Sequence, residues 1–210
     1  MRMANDLTDR KIQSFVRREG RLTRGQQRAL DTLYPLYGLH EDAVPIAWRD
    51  AVNTNAPVGV EIGFGNGLSL AQAAAAHPDT AFLGIEVHRP GVGQVLMRIQ
   101  EMGLQNLRVV CGDAVPVLSA RRPEQSLTRV HLFFPDPWPK KRHHKRRLVK
   151  AEFLDELAPK VARSGRLYIA TDIADYAHDM LAAVDTSSTW ENLAGFGKYA
   201  PRPRFRPLTK

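Results

Sequence analysis

Residues 58–67 read VGVEIGFGNG and join a short apolar run to a loop that contains three glycines. Val58–Ile62 has the β-branched, apolar composition of a buried strand. Gly63, Gly65 and Gly67 allow the backbone to turn tightly and to pass close to a ligand. The alanine-rich residues 68–77 that follow favour a helix. This stretch therefore predicts a strand, a ligand-binding loop and a helix in succession, the opening unit of a βαβ fold.

The same alternation of apolar runs and helix-prone segments continues along the chain. Further strands are predicted at residues 81–85, 107–111, 130–134 and 166–171, and helices at residues 24–32, 92–102, 150–161 and 174–184. Short strands that alternate with helices indicate an α/β fold with a mostly parallel, twisted sheet and helices on both faces. We predict two regions, a basic N-terminal extension at residues 1–50 and a ligand-binding domain at residues 51–210.

The composition is that of a basic globular protein. The chain has 210 residues, a formal net charge of +8 and a single cysteine, Cys111, so neither an internal disulfide nor a cysteine-rich metal site is expected. No stretch approaches the roughly 18 apolar residues of a membrane span. Residues 1–6 lack the apolar core of a signal peptide. We therefore expect a cytoplasmic protein with no metal and no membrane partner.

Basic side chains are concentrated in two segments. Residues 140–147 read KKRHHKRR and contain no acid. The N-terminal segment adds five arginines: Arg17, Arg18, Arg21, Arg24 and Arg28. Such clusters favour a polyanion as the partner over a uniformly solvated basic surface.

An acidic residue lies at or just after the end of each predicted strand. These residues are Glu61, Glu86, Asp113, Asp136 and Asp172. Parallel strands end at one edge of their sheet, and ligands bind there at the topological switch point, so we expect these carboxylates near one site. Short acids at strand ends also cap helices, which would explain one or two of the five.

The most distinctive acid, Asp136, lies between two prolines in residues 134–139, FPDPWP. Each proline fixes its own φ angle and keeps the preceding residue out of the helical region, which predicts a stiff turn. Trp138 and several basic side chains follow. A fixed carboxylate, a flat ring and positive charge suit a nucleobase on a phosphate chain. Trp138 is at least as well explained as a ring that covers the core.

The spacing of the glycines separates two classes of cofactor. A dinucleotide site requires G-x-G-x-x-G, which would place the third glycine at position 68, where this chain has Leu68. The third glycine is Gly67 instead, in a pattern that resembles the loop of class I methyltransferases, which bind S-adenosylmethionine. In such a site Glu61 could attract the charged methionine part and Glu86 could accept ribose hydroxyls. Asp113 could accept the adenine amino group or, about equally, cap a helix.

Together, the glycine loop and the Pro-Asp-Pro-Trp segment resemble those of bacterial tRNA (guanine-N7-)-methyltransferases. The matching segments are residues 14–21, 25–26, 61–67, 84–87, 134–143, 170–172 and 206–210, which extend over nearly the whole chain. The resemblance implies a Rossmann-like class I methyltransferase domain at residues 51–210 and S-adenosylmethionine as the cofactor. It also implies tRNA as the partner and N7 of a guanine as the methylated atom, in the variable loop for that family.

The resemblance further implies roles for single residues. Cofactor contacts are implied for Glu61, Gly63, Gly65, Gly67, Glu86, Asp113 and Asp136, and an active-site role for Asp136. Substrate contacts are implied for Lys140, Asp172, Thr209 and Lys210, and RNA contacts for Arg142, His143, His144, Lys145, Arg146 and Arg147. Guanine N7 carries a free lone pair and needs no general base. We therefore expect Asp136 to orient the guanine and to stabilise its developing positive charge.

One departure from the family concerns the C-terminus. Family members continue past a Thr-Lys pair with Phe-Glu and one more strand, whereas this sequence ends at Lys210. We therefore expect a sheet without the final antiparallel strand, an unpaired edge at residues 166–171, and weak or absent activity.

Two other functions remain open on the sequence alone. A nicotinamide-dependent oxidoreductase would use the same fold, although Leu68 and the basic segments argue against it. An RNA-binding module without catalysis would keep the basic segments, although the intact acids argue against it. The sequence also leaves the oligomeric state open between a monomer and a homodimer.

Overall fold

The computed structural model describes residues 14–15, 20–40, 56–119, 125–203 and 205–206. The strands are β1 (Gly38–Leu39), β2 (Val58–Ile62), β3 (Ala81–Glu86), β4 (Leu107–Cys111), β5 (Leu127–Phe133) and β6 (Val161–Ala170). The α-helices are α1 (Arg24–Thr32), α2 (Tyr34–Tyr37), α3 (Leu68–Ala76), α4 (Arg89–Met102), α5 (Ala114–Ser119), α6 (Ala151–Leu157) and α7 (Ala174–Asp185). Two 3-10 helices cover Lys141–Arg146 and Ala158–Lys160.

The strands of the described residues form one sheet in the order β1-β4-β3-β2-β5-β6, and every pair of neighbours is parallel. β2 has β3 on one side and β5 on the other. From β2 the chain adds β3 and β4 on one side of the sheet and then β5 and β6 on the other. The topological switch point therefore lies between β2 and β5. In such sheets ligands bind at the carboxyl ends of the strands beside the switch point.

Helices cover both faces of the sheet, as the sequence predicts. Along β3, Phe82 packs in one cluster with residues of α1, α3 and α4, whereas Leu83 and Ile85 pack in another with residues of α5, α6 and α7. Successive side chains of a strand point to opposite faces, so a strand covered on both sides is apolar throughout. β2 and β3 are buried at every position for this reason. The predicted Rossmann-like fold is confirmed.

Residues 24–39 pack on this sheet. α1 begins after Thr23, which forms a capping box with Gln26 through reciprocal hydrogen bonds between side chain and backbone. Ala29 and Leu33 are buried in the same cluster as residues of α4, and β1 pairs with β4. The sequence predicts α1 with its observed bounds but misses β1, because a two-residue strand carries no periodicity. The division of the chain at residue 50 stays a prediction.

The boundary between α6 and β6 differs from the expected one. The sequence predicts a helix over residues 150–161, but α6 ends at Leu157 and the 3-10 helix with Pro159 follows. Proline lacks an N–H and collides with the preceding helical turn, which explains the early end. β6 then begins at Val161, before the predicted strand at residues 166–171, and within the described residues it pairs with β5 alone. None of the described helices is long and apolar enough to cross a membrane.

Candidate active site

Backbone hydrogen bonds bring the predicted site residues to one edge of the sheet. The Gly63 N–H donates to the Ile85 carbonyl (2.8 Å) and the Gly112 N–H to the Glu86 carbonyl (3.0 Å), which joins the ends of β2, β3 and β4. The Phe134 N–H donates to the Ala170 carbonyl (2.8 Å), which joins the ends of β5 and β6. The five predicted carboxylates, two at the ends of strands and three in the loops that follow them, therefore lie at the carboxyl ends of neighbouring strands.

The glycine loop between β2 and α3 is open on one side. Gly63 and Gly65 have φ angles of +68° and +59°, a region that other residues rarely adopt. A Cβ built on either glycine would have no heavy atom within 4 Å among its described neighbours. The loop therefore exposes bare backbone to a free space that a bound molecule can occupy.

Glu86, the last residue of β3, is hydrogen-bonded to this glycine loop. Its Oε2 accepts a hydrogen bond from the Gly65 N–H (2.9 Å) and its Oε1 one from the His88 N–H (2.9 Å). The residue is only 8% exposed. Each carboxylate oxygen can accept a second hydrogen bond, so Glu86 can hold the loop and still accept a ribose hydroxyl.

Glu61, in β2, has an unsatisfied oxygen. The residue is 4% exposed, and its Oε2 has no hydrogen-bond partner among the described residues. His131 lies on the adjacent β5, and its Nδ1 is 3.6 Å from this oxygen, beyond ordinary hydrogen-bond length. A buried carboxylate oxygen without a donor is rare, and the ammonium group of a methionine moiety would provide one.

Asp113 follows β4 and caps α5, which is one of its two predicted roles. Its Oδ1 accepts a hydrogen bond from the Val115 N–H (3.0 Å). This bond occupies one carboxylate oxygen. The contact of Asp113 with adenine stays a prediction.

The turn that carries Asp136 is strained on both sides. Phe134 and Trp138 have φ angles of +54° and +47°, and bulky residues in this region cost about 1–3 kcal/mol each. The Trp138 indole N–H donates to the Ser14 carbonyl (2.9 Å), and the Arg146 guanidinium lies 4.8 Å from the Trp138 ring centroid. Trp138 is thus engaged by protein neighbours, which supports the packing explanation over stacking on a base.

The Asp136 side chain is exposed and has no hydrogen bond or ion pair with another described residue. Lys140 and Asp172 are exposed as well, Lys140 before the first 3-10 helix and Asp172 just after β6. The predicted substrate residues Thr209 and Lys210 lie outside the described residues. A carboxylate on a rigid turn that is not engaged by the described part of the chain can accept hydrogen bonds from a ligand.

The basic segment forms the 3-10 helix Lys141–Arg146, on which Lys141, Arg142 and Lys145 are exposed. His143 accepts a hydrogen bond at Nε2 from the Arg142 guanidinium (3.3 Å). Desolvation lowers the pKa of His143, and the neighbouring arginines and lysines lower it further. The described residues contain no group of three or more histidines, cysteines, aspartates or glutamates placed to bind a metal ion.

Arg147 differs from the rest of the predicted RNA-contacting set. The residue is 2% exposed, and its guanidinium is hydrogen-bonded to the Pro137 carbonyl and to the carboxylates of Asp175 and Asp179. A buried guanidinium with protein partners on all three nitrogens has little capacity left for a phosphate, which argues against the RNA contact that the resemblance implies for Arg147. The sequence gives no sign of this burial, because Arg147 follows seven basic or histidine residues, 140–146, without a break.

A second arginine that the sequence does not single out supports the glycine loop. The Arg98 side chain, on α4, donates from Nε to the Asn66 carbonyl at 3.3 Å. Neither its charge nor its helical position distinguishes Arg98 from a solvated arginine in the sequence.

The described residues fit S-adenosylmethionine. The open glycine loop accommodates a ligand against its backbone, and the buried Glu61 Oε2 lacks a donor. Glu86 lies in contact with the same loop through Gly65. Glu61, Glu86 and the loop would hold the cofactor, and Asp136 follows β5, the strand on the other side of the switch point from β2.

Comparisons with known proteins agree with this architecture. A family model described as "Putative methyltransferase" matches residues 55–210. The chain is 51% identical to the tRNA (guanine-N(7)-)-methyltransferase of Alcanivorax borkumensis and 52% identical to that of Sodalis glossinidius, in each case over 96% of this chain and 84% of the relative. A crystal structure of precorrin-6y C5,15-methyltransferase from Geobacter metallireducens has a TM-score of 0.50 at 14% identity, with 76% of this chain and 67% of that chain covered. This last likeness concerns the fold alone.

Proposed function

The chain belongs to the tRNA (guanine-N(7)-)-methyltransferase family, and from this membership we infer that it transfers a methyl group from S-adenosylmethionine to N7 of a guanine in tRNA. The structural observation that supports this function best is Asp136, which has no partner among the described residues and lies on a strained turn after β5, the strand across the switch point from the open glycine loop after β2. The variable loop of tRNA is the proposed location of the guanine, and the cytoplasm is the proposed location of the enzyme.

The proposed reaction requires no proton transfer to a protein side chain. When bound, S-adenosylmethionine supplies a methyl group on a positively charged sulfur. Guanine N7 has a lone pair in the plane of the ring and no proton to lose, so no general base is required. The protein contributes by positioning the base in line with the methyl group and by stabilising the charge that develops on the purine.

We propose that Asp136 performs both tasks. Its carboxylate can accept hydrogen bonds from N1–H and N2–H of guanine, which orients the ring. Its negative charge favours the transition state, in which the purine becomes positive. Lys140, which can donate to guanine O6 or bind a phosphate, and Asp172, which can share recognition of the base, are the proposed substrate residues beside it.

The exposed basic side chains of the 3-10 helix Lys141–Arg146 are proposed to bind the tRNA backbone. They follow Asp136 directly in the chain, so a phosphate bound there would lie near the base that Asp136 orients. Phosphate contacts position a nucleic acid without reading its sequence. Choice of the guanine therefore falls to the shape of the tRNA and to the site itself.

The function is tested by incubation of the protein with unmodified tRNA and methyl-labelled S-adenosylmethionine, followed by digestion and identification of the labelled nucleoside. We expect 7-methylguanosine from the variable loop. Label in another nucleoside would contradict the function, and label in 7-methylguanosine from another loop would contradict only the proposed position.

A thermal shift assay separates the remaining alternatives, because a ligand that binds only the folded state raises the melting temperature. S-adenosylmethionine should raise it and NADH should not. Stabilisation by NADH alone would support an oxidoreductase, and stabilisation by S-adenosylmethionine without methyl transfer would support an RNA-binding module without catalysis.

A further inference from the structure

The guanidinium of Arg147 connects two parts of the molecule, the turn that carries Asp136 and the helix α7. Its Nε donates to the Pro137 carbonyl at 2.9 Å, one of its terminal nitrogens donates to Asp175 at 2.8 Å, and the other donates to Asp179. The side chain also lies over the Tyr176 ring, with 4.7 Å between the guanidinium carbon and the ring centroid. All three nitrogens therefore have partners, and all the partners lie on the Asp136 turn or on α7.

These partners lie next to the predicted catalytic residue Asp136 and the predicted substrate residue Asp172. Pro137 immediately follows Asp136, so the bonded carbonyl belongs to the same turn. α7 begins at Ala174, two positions after Asp172. Arg147 thus bridges the loop after β5 and the helix that follows the loop after β6.

We propose that Arg147 is a positioning residue that sets the placement of Asp136 relative to Asp172. The proposal rests on the proposed function, since it concerns the distance between two groups that act on the same guanine. Arg147 itself contacts neither guanine nor phosphate.

The chemistry of the site favours arginine over lysine. Three donors point in three directions from one planar group, which a single ammonium on a flexible stem cannot reproduce. The turn that Arg147 bonds is strained at Phe134 and Trp138, and a strained turn keeps its conformation only when its surroundings impose it. The Pro137 carbonyl lies between these two residues, so its bond to Arg147 acts on the strained segment directly.

The neighbours of Arg147 also allow the site to be tested without loss of the fold. Asp175 and Asp179 have 54% and 52% of their side-chain surface exposed, so water can solvate both carboxylates if the guanidinium is removed. Tyr176 is anchored separately, since its hydroxyl accepts a hydrogen bond from the Val149 N–H (3.2 Å).

The test compares Arg147→Lys with a matched control, Arg163→Lys, which makes the same change at an exposed position near the start of β6. Three quantities are measured on each: the single-turnover rate with saturating tRNA and S-adenosylmethionine, the Kd for tRNA, and the melting temperature. Displacement of a reacting group by about 1 Å can cost on the order of 100-fold in rate, so we expect Arg147→Lys to lower the saturated rate by about tenfold to 100-fold. The Kd for tRNA should stay within about twofold of the wild type, and Arg163→Lys should match the wild type throughout.

Two results would overturn the proposal. A wild-type saturated rate with a weakened Kd for tRNA would make Arg147 an RNA contact. A loss of rate that follows only the fraction of unfolded protein would make it a purely structural residue. If Arg147→Lys does not fold, the double variant Asp175→Asn, Asp179→Asn replaces it. That variant should lower the saturated rate with an unchanged Kd for tRNA, and a wild-type rate there would equally refute the proposal.

Two controls distinguish this proposal from the function on which it rests. If the wild type forms no 7-methylguanosine, the proposed function fails. If the wild type is active and Asp136→Asn retains its full rate, the proposed role of Asp136 fails. If both controls behave as expected and Arg147→Lys still turns over at the wild-type rate, only the role of Arg147 fails.

Discussion

Asp136 shows how local chain chemistry and distant contacts combine at one residue. The two flanking prolines restrict the turn, as the sequence predicts. The positive φ angles of Phe134 and Trp138 go beyond what proline requires, and they are maintained by bonds to Ala170, Ser14 and Arg147. The carboxylate itself is left without a partner among the described residues. The observed contacts thus hold the turn in place, and none of those among the described residues engages the carboxylate proposed to act on the substrate.

A second residue-scale feature, the pKa of His143, gives a prediction about pH. Desolvation and the charges of Arg142, Arg146, Lys140 and Lys145 lower the pKa of His143 below its ordinary value of 6.5, so the ring is neutral at pH 7 and above. A bound phosphate would favour the charged ring. The affinity for tRNA should therefore be independent of His143 near pH 8 and should rise as the pH falls toward the lowered pKa of His143.

The gain in affinity for tRNA at low pH should stay below about tenfold for each unit by which bound tRNA raises the pKa of His143. The measurement is the Kd for tRNA between pH 5.5 and pH 8 for the wild type and for His143→Gln, which cannot gain a charge. An identical pH profile for the two proteins would show that His143 is not near the bound phosphate.

At the scale of elements, the glycine loop depends on the helix that packs beneath it. Gly91 lies in the first turn of α4, and a Cβ at this position would stand 2.1 Å from the Gly65 carbonyl oxygen. Gly65 in turn donates its N–H to Glu86. The close approach of α4 to the loop therefore fixes the geometry of the cofactor site, although Gly91 lies outside the glycine motif of the sequence.

We predict that Gly91→Ala raises the Kd for S-adenosylmethionine, because the backbone of the loop must move to admit the methyl group. Overpacking of this kind costs typically about 1–3 kcal/mol of stability. Gly25→Ala is the matched control, since Gly25 also lies in the first turn of a helix and its Cβ would meet only ordinary contacts, the nearest being Met97 Cε at 3.7 Å. Isothermal titration calorimetry with S-adenosylmethionine measures the Kd of both variants. Equal Kd values for Gly91→Ala and Gly25→Ala would show that the glycine loop tolerates the added methyl group.

The elements also show which parts of the fold can be predicted from sequence. The apolar runs of β2, β3 and β4 and the bounds of α1 follow from local composition, and the sequence predicts them closely. The burial of Arg147 depends on Asp175 and Asp179, which lie 28 and 32 residues further along the chain, and no local pattern reports such a pairing. The unsatisfied oxygen of Glu61 depends in the same way on its neighbours in the sheet. The sequence thus predicts the candidate acids of the site, whereas the side chains proposed to position them emerge only from the packing.

At the scale of the whole molecule, the predicted functional residues lie at one end of the parallel strands. The carboxyl ends carry the glycine loop, the predicted acids and, shortly after β5, the basic 3-10 helix Lys141–Arg146. The chain has a formal net charge of +8, part of which is therefore placed next to the candidate active site. A basic patch beside the site can steer a polyanion toward it.

This arrangement predicts the salt dependence of tRNA binding. Each phosphate contact contributes roughly 0.7 to 0.9 to the slope of log K against log salt. Lys141→Gln with Lys145→Gln should therefore reduce the slope by about 1.4 to 1.8. The double variant Arg163→Gln, Arg166→Gln removes the same charge from exposed positions of β6 and should leave the slope nearly unchanged. Equal reductions in both variants would indicate a diffuse field without specific contacts.

The most direct test of the whole account is the single-turnover rate of methyl transfer to guanine N7 by Asp136→Asn at saturating tRNA and S-adenosylmethionine. Asparagine keeps the size of the side chain but loses the charge and part of the acceptor capacity. Loss of one preorganised electrostatic group typically costs about 100-fold to 1,000-fold in rate, so we predict a reduction of that order with the Kd for tRNA nearly unchanged. A rate equal to that of the wild type would contradict the central role given to the Asp136 carboxylate.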